Sequence, residues 1–488
     1  MSVGELKRGW LAALLILYGT LILIWLAFSG FFVPAFIEAL QQGRLNSSLA
    51  RALQARMHRA PDHYQRLWSS FVYAVAWALV CHLSLTLLTK SLVSTSGGRN
   101  QWGRGETAFV FLSALFLGLT VLSGPRHDYV AYVEIWERVW RGGDPWEVSA
   151  QFGYPLNAYG PLFNLLTIPA AINPLLPKLL FATSYLAFAF LIFRSFKASS
   201  QNSNRLLLAI LYGPFVWVEI AYFGHFDILV ALVCISACLS APGGREGLAG
   251  FSLAAGVLLK YIPLSLLPFF LFRAGRFRPR FMFIFLFTIA VGTAMSWLIW
   301  GNTLFRPLAF ATGRPSTFAS IFRFLRGPWS PLTLLTPTPN LDRFSLPSLL
   351  ASGLFVFVIT LRSRAKLDTA LLLAAVVTLT FYRVGFLQYQ MIVYVLATLW
   401  IAKRPALTSR RPSLFWALAG YLAWFSALDL VYAYAGGVLH PQDPLGWLDD
   451  IVGLPSFLLG ISLIYAFLRS TAREDESEDV ANSAPGLT

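Results

Sequence analysis

Few residues of this chain can do chemistry, and they gather at a handful of places. Only 12% of the 488 positions are charged, so an acid or base standing between apolar stretches needs a partner or a task. The run Ser123-Gly124-Pro125-Arg126-His127-Asp128-Tyr129 follows an apolar stretch of span length. Asp128 suits two roles there, which can coexist. It can cap a helix, as Asp often does, or act as a general base that takes the proton of an attacking hydroxyl. His127 and Tyr129 flank it as candidate substrate contacts. A second cluster, Phe223-Gly224-His225-Phe226-Asp227, stands where one apolar stretch ends and the next begins. His225 there is a hydrogen-bonding candidate or an interface anchor, and Asp227 a substrate contact or a second cap. Lys260 interrupts an apolar pair at Lys260-Tyr261-Ile262-Pro263, where its ammonium could snorkel or grip a phosphate. Arg323, Arg383 and Gln388 complete the candidate binding set. The anion-binding chemistry of Lys and Arg opposite a single carboxylate suits a reaction whose leaving group is already an anion and needs cationic stabilisation, not an acid.

The elements that must position these groups are apolar helices. Stretches long enough to cross a bilayer, or nearly so, recur at about 11–36, 68–92, 108–122, 176–193, 206–222, 228–239, 281–300, 346–361, 369–381, 386–402, 414–434 and 451–468. Two shorter pieces between Leu248 and Phe272 meet at Lys260 and are expected to dip in and return. Tyr129, Tyr132, Val133, Trp136, Val139 and Trp140 recur at helical spacing, with Glu134, Glu137, Arg138 and Arg141 opposite. That pattern predicts an interfacial helix with its aromatic side towards the membrane, stopped by Gly142-Gly143 and turned by Asp144-Pro145-Trp146. Phe318, Ile321, Phe322 and Leu325 predict a second interfacial helix with Arg323 on its polar side. The expected fold class is therefore all-α: a polytopic transmembrane helical bundle with interfacial helices in its non-cytoplasmic loops.

Composition agrees. Hydrophobic residues make up 57% of the chain, and its charged fraction is about half that of a soluble domain. The net charge of +15 sits in short loops between spans, where it sets topology, so nucleic acid is not expected as a partner. Cys81, Cys234 and Cys238 lie inside apolar stretches and read as buried thiols. No metal and no cofactor is invoked, since the long outer loops hold no DxD motif. The stretch Trp10–Phe36 exceeds the core of a signal peptide and reads as a retained span.

Basic clusters at Lys7-Arg8, Arg99/Arg104, Arg194/Lys197/Arg205, Arg273–Arg280, Arg362–Lys366 and Lys403–Arg411 fall on one side if each span crosses once. That side is expected to be the cytoplasm, with both termini there. One loop dissents, because Arg44, Arg51, Arg56, Arg59 and Arg66 land outside. The chain divides into a two-helix membrane extension at 1–106, a core at 107–470, and an acidic cytoplasmic tail at 471–488 expected to be disordered. Three non-cytoplasmic segments, 123–161, 301–345 and 436–450, are too long to be turns, and function is expected there.

Together, His127-Asp128-Tyr129, the aromatic helix, Gly143-Asp144-Pro145-Trp146 and Tyr159-Gly160-Pro161-Leu162-Phe163 resemble the first outer loop of GT-C glycosyltransferases. The nearest likeness is to bacterial polyprenol-phosphate-mannose-type mannosyltransferases and the catalytic subunit of GPI mannosyltransferase I. Phe223-Gly224-His225-Phe226-Asp227, Ala249-Gly250 and Lys260-Tyr261-Ile262-Pro263 are similar to a second stretch of the bacterial enzymes, and Gln388-Tyr389-Gln390 to a segment of the GPI enzyme. The resemblance spans about 108–402. It implies a multi-pass enzyme of the inner cell membrane with Asp128 as catalytic base. A hexose, expected to be mannose, would move from a polyprenyl-phosphate donor to a lipid or glycan acceptor on the non-cytoplasmic face. Where many relatives carry an acidic pair, this chain has His127 before a lone Asp128. A transporter or lipid flippase is the main rival, but it predicts internal repeats and charges along a central path, and neither is visible. A glycan ligase of related architecture is the nearer rival.

Overall fold

The structure is a computed structural model. It describes residues 104–148, 155, 157–196, 210–273, 276–327, 330, 332, 341–404, 412–438 and 451–483. The first two expected spans, the 1–106 extension up to residue 103 and the basic 41–66 loop lie outside the described residues.

The chain is mostly helical. Helix α1 (Arg104–Leu122) leads to α2 (Asp128–Trp140). A 3-10 turn at Pro161–Leu166 runs into α3 (Thr167–Ile172), followed by α4 (Leu176–Phe196). Next come α5 (Pro214–Tyr222), wound as a π-helix over Trp217–Tyr222, and α6 (Asp227–Ser240), with a 117° bend between them. Then follow α7 (Glu246–Leu259), a 3-10 turn at Ile262–Leu266 and α8 (Leu267–Leu271). The hairpin of β1 (Phe272–Arg273) and β2 (Arg276–Phe277) precedes α9 (Pro279–Trp300) and α10 (Arg306–Gly313). Strand β3 (Thr317–Phe318), α11 (Ile321–Arg326), α12 (Ser345–Arg362) and α13 (Leu367–Phe381) lead to β4 (Val384–Gly385), which pairs in parallel with β3. A 3-10 turn at Leu387–Gln390, α14 (Met391–Ala402), α15 (Pro412–Val438) and α16 (Gly453–Ser483) finish the chain.

Among the described residues, five helices are long and apolar enough to cross a membrane, six if the bent α5–α6 pair is one span. The other expected spans in this region are apolar helices of 10–17 residues. Length separates the two groups, since crossing the hydrocarbon takes about 20 helical residues. Within the bundle, α13 and α14 are buried along nearly their whole length, as expected of helices apolar all round. Around them α6 packs on α7 and α14, α7 on α9, α12 on α13, and α15 on α16. By contrast α9 and α12 turn most of their apolar side chains outward.

Three sequence expectations change. Helix α2 forms where the aromatic spacing placed it, but Tyr129, Tyr132 and Trp136 are buried within the protein, packed on Phe163, Tyr159 and Phe226. Neighbouring loops supply enough aromatic surface to bury this face without lipid. The acidic segment from Arg473, expected to be disordered, continues α16 as helix to Ser483. The second interfacial helix is also shorter than its pattern, because Phe318 belongs to β3 and only Ile321–Arg326 is helical.

Candidate functional site

The α1–α2 loop with the start of α2, the α5–α6 bend, the β3–α11 segment and the 387–390 turn meet around a cavity of about 440 Å³. Its floor starts at Asp128. This residue opens α2, yet its side chain caps nothing, since the N-cap position is His127 and makes no side-chain capping bond. His127 itself has φ of 50°, a sparsely populated backbone state for a residue with a side chain. That turn leaves the Asp128 carboxylate facing the cavity with its side chain 39% exposed. Gln388 Nε2 donates to Asp128 Oδ2 at 3.2 Å. His127 Nδ1 lies 3.2 Å from Oδ1, and His225 Nε2 lies 3.6 Å from Oδ2. Burial opposes the charge, but the facing rings of His127 and His225 outweigh it, and the carboxyl stands well below the ordinary carboxylate range. Asp128 thus faces the cavity as an ionised acceptor.

The loop before it is anchored by a residue the sequence did not single out. Lys178, fully buried near the start of α4, donates to Ser123 Oγ at 2.6 Å and to the carbonyls of Gly124 and Tyr222 at 2.8 Å. One ammonium thus satisfies three acceptors and ties the end of α1 to the end of α5. Gly224, with φ of +76°, lies against it, and a Cβ there would fall 2.9 Å from the Lys178 side chain and from the Tyr129 ring. On the other side, Gly160 rests on the end of α7, donating its N–H to Leu259 O at 3.0 Å. A Cβ at Gly160 would fall 2.1 Å from Leu258 O, so only glycine lets the Tyr159 loop close over the site.

The cavity lining is also cationic. Arg314, Arg323 and Arg326 all line the cavity. Arg326 donates to Ser316 O at 3.0 Å and approaches Asp342. The Arg314 guanidinium lies over the Phe386 ring, 4.5 Å from its centroid. The 123–161 and 301–345 segments are joined to each other as well, with Arg306 donating to Asp144 Oδ2 at 2.8 Å.

Five of the nine expected site residues line this cavity: Asp128, His127, His225, Arg323 and Gln388. The other four do not. Tyr129 is fully buried; its hydroxyl donates to Pro174 O at 2.5 Å and accepts the Lys178 N–H, so it braces the loop. Asp227 and Lys260 pair with each other at 2.5 Å, both nearly without solvent contact. Lys260 does end α7 at the expected break, but its ammonium points at Asp227 and sits 4.0 Å from the centre of the Tyr389 ring, behind the cavity wall. In a site without water, two opposite charges satisfy each other before either can serve a ligand. Arg383 donates to Ala311 O at 2.8 Å while its own carbonyl accepts from Thr317, which makes it a strut of the β3–β4 junction.

Sequence reading missed Glu219 and Asp429. Glu219 lines the cavity yet is 1% exposed, and Asp429 is fully buried. Both sit within apolar segments that read as plain span interior, although an acid inside a span is itself a signal of function. One ring nitrogen each of His127 and His225 and a carboxylate oxygen of Asp128 lie within 4.8 Å of one another, a spacing small enough for a cation. Gln388 on Asp128 and Glu219 on His225 supply hydrogen bonds to the same groups, and we read the three as a charge-paired cluster. No protein-family model, no curated protein and no solved structure matches this chain.

Proposed function

We propose that this chain is a membrane-bound glycosyltransferase of the GT-C type. It transfers a single hexose, mannose in our reading, from a polyprenyl-phosphate donor to a lipid or glycan acceptor. The reaction takes place at the non-cytoplasmic face of the cell membrane. One observation carries the proposal: an ionised, partly exposed carboxylate, Asp128, shares a cavity with three arginines, Arg314, Arg323 and Arg326. The arginines suit the donor phosphate, whose charge grows as the bond to the anomeric carbon breaks. Asp128 suits the acceptor hydroxyl. That proton grows acidic as its oxygen bonds to the sugar, so a weakly basic carboxylate can take it. Gln388 holds the carboxylate in place meanwhile.

The direct test is transfer of radiolabelled mannose from polyprenyl-phosphate mannose in membranes containing the full chain. Absence of transfer from any polyprenyl-phosphate sugar would remove the proposal. Arg314→Ala is expected to raise the donor KM about tenfold while changing kcat little, since a charged hydrogen bond is worth about 1.5–3 kcal/mol. An unchanged KM would take Arg314 out of the donor site. Topology offers a separate check. A reporter placed after Arg205 should read cytoplasmic and one inserted near Gly143 external, and the reverse would put Asp128 on the wrong side for this donor.

A further inference from the structure

Behind Asp128 stands a row of buried groups that the transfer reaction, as described, does not use. His225 occupies the bend between α5 and α6. Its Nδ1 meets Glu219 Oε2 at 2.5 Å, and its own backbone N–H donates to Glu219 O at 2.8 Å. Its Nε2 faces Asp128 Oδ2 at 3.6 Å. An imidazole between two carboxylates is best served by a proton on each nitrogen. Glu219 reaches it because Trp217–Tyr222 is wound as a π-helix, a local widening often found at functional sites. Asp429 on α15 is buried close to Glu219.

We propose that Glu219 is a positioning residue that keeps His225 a cation turned towards Asp128, and so holds Asp128 as an oriented carboxylate at the cavity. The function assigned to Asp128 rests on the glycosyl-transfer reading; the state of His225 does not. Burial works against the imidazolium, but the charge of Glu219 and the contact with Asp128 push the ring up to about 10. The other ionisable groups around it are His127 before α2, Asp227 at the start of α6 and Asp429 behind Glu219. Glu219, at 2.5 Å, makes a shorter contact with the ring than Asp128 at 3.6 Å.

The test uses Glu219→Gln in the full chain, in nanodiscs. Gln keeps an oxygen for Nδ1–H but carries no charge. The chain has six histidines, so His225 can be assigned in a ¹³Cε1-histidine NMR spectrum by comparison with His225→Gln. In the wild type, His225 should stay an imidazolium through neutral pH. In Glu219→Gln it should lose its proton near or below the ordinary value of about 6.5. With a polyprenyl-phosphate mannose donor, the variant's kcat should fall about tenfold or more near pH 8, with donor KM unchanged, and should recover as the pH is lowered to about 5.5. Glu219→Asp, which keeps the charge, should recover activity near pH 8 as well. A His225 that is neutral at pH 7 in the wild type overturns the proposal, even if the Gln variant fails to fold. So does a His225 that titrates alike in both chains, or a kcat loss equal at every pH. If the wild type transfers nothing, the glycosyl-transfer reading fails, while the NMR titration still decides the role of Glu219.

Discussion

The Asp128→Asn chain is expected to insert, fold and bind donor, but to turn over on the order of a hundredfold or more slowly, the lower end of what base catalysis contributes. The structure makes this substitution cleaner than the sequence promised. A capping role would have left Asn nearly harmless, because Asn caps as well as Asp. Asp128 caps nothing, however, since the N-cap position belongs to His127. Gln388 can still donate to the amide oxygen of Asn, so the shape of the cavity floor survives. What disappears is the negative charge facing His225 and the acceptor. The arginine wall is untouched, so donor KM should hold. The measurement is kcat and KM for mannose transfer across pH. Because the wild-type carboxyl stands well below the ordinary range, its ionised form persists as pH falls, and Asp128 should impose no acid limb between about pH 8 and 5. Near-normal turnover by Asp128→Asn would exclude it as the base and turn attention to Glu219, the other carboxylate on the cavity wall.

Lys260→Met is expected to destabilise the protein by about 3–5 kcal/mol, the usual cost of stranding one charge of a buried pair. From sequence alone, Lys260 could snorkel or grip a phosphate, and as a phosphate ligand its loss would weaken donor use. The pairing with Asp227 at 2.5 Å reverses that expectation. Without the ammonium, Asp227 must keep an uncompensated charge among apolar groups or take up a proton. The Asp227→Asn/Lys260→Met double variant removes both charges and should recover most of the loss, because a buried ion pair is often no more stabilising than neutral groups of similar volume. Thermal unfolding in detergent distinguishes the cases. A stable Lys260→Met chain with a raised donor KM would put Lys260 back at the phosphate and make the ion pair incidental.

These two variants mark what was legible in the sequence. Apolar stretches of span length announced most helices, and the break at Lys260 was visible because Lys-Tyr-Ile-Pro cannot continue an apolar helix. Asp128 stood out because it is a lone acid after a span. Pairing was not legible. Nothing local to Lys260 says that Asp227, 33 positions earlier, will take its charge. Nothing in Trp217-Val218-Glu219-Ile220 says that the acid points at a histidine rather than away. Tyr129 misled for a related reason. Helical spacing identified its face correctly, but whether that face meets lipid or protein depends on Tyr159, Phe163 and Phe226, which arrive from other elements. Lys178 was invisible because its three acceptors include two backbone carbonyls, which have no sequence signature.

The contacts around Asp128 also set a schedule. Gln388 lies 260 positions beyond Asp128, and Tyr432, whose hydroxyl meets His127 Nε2 at 3.0 Å, lies 305 positions beyond that histidine. At about 5–20 residues per second of synthesis, roughly 15 to 60 s separate the making of His127 from that of Tyr432. During that interval the nascent chain holds its reactive carboxylate without the pocket that directs it. A polypeptide released between residues 326 and 388 would carry Asp128 and the three arginines but not the glutamine that hydrogen-bonds the carboxylate.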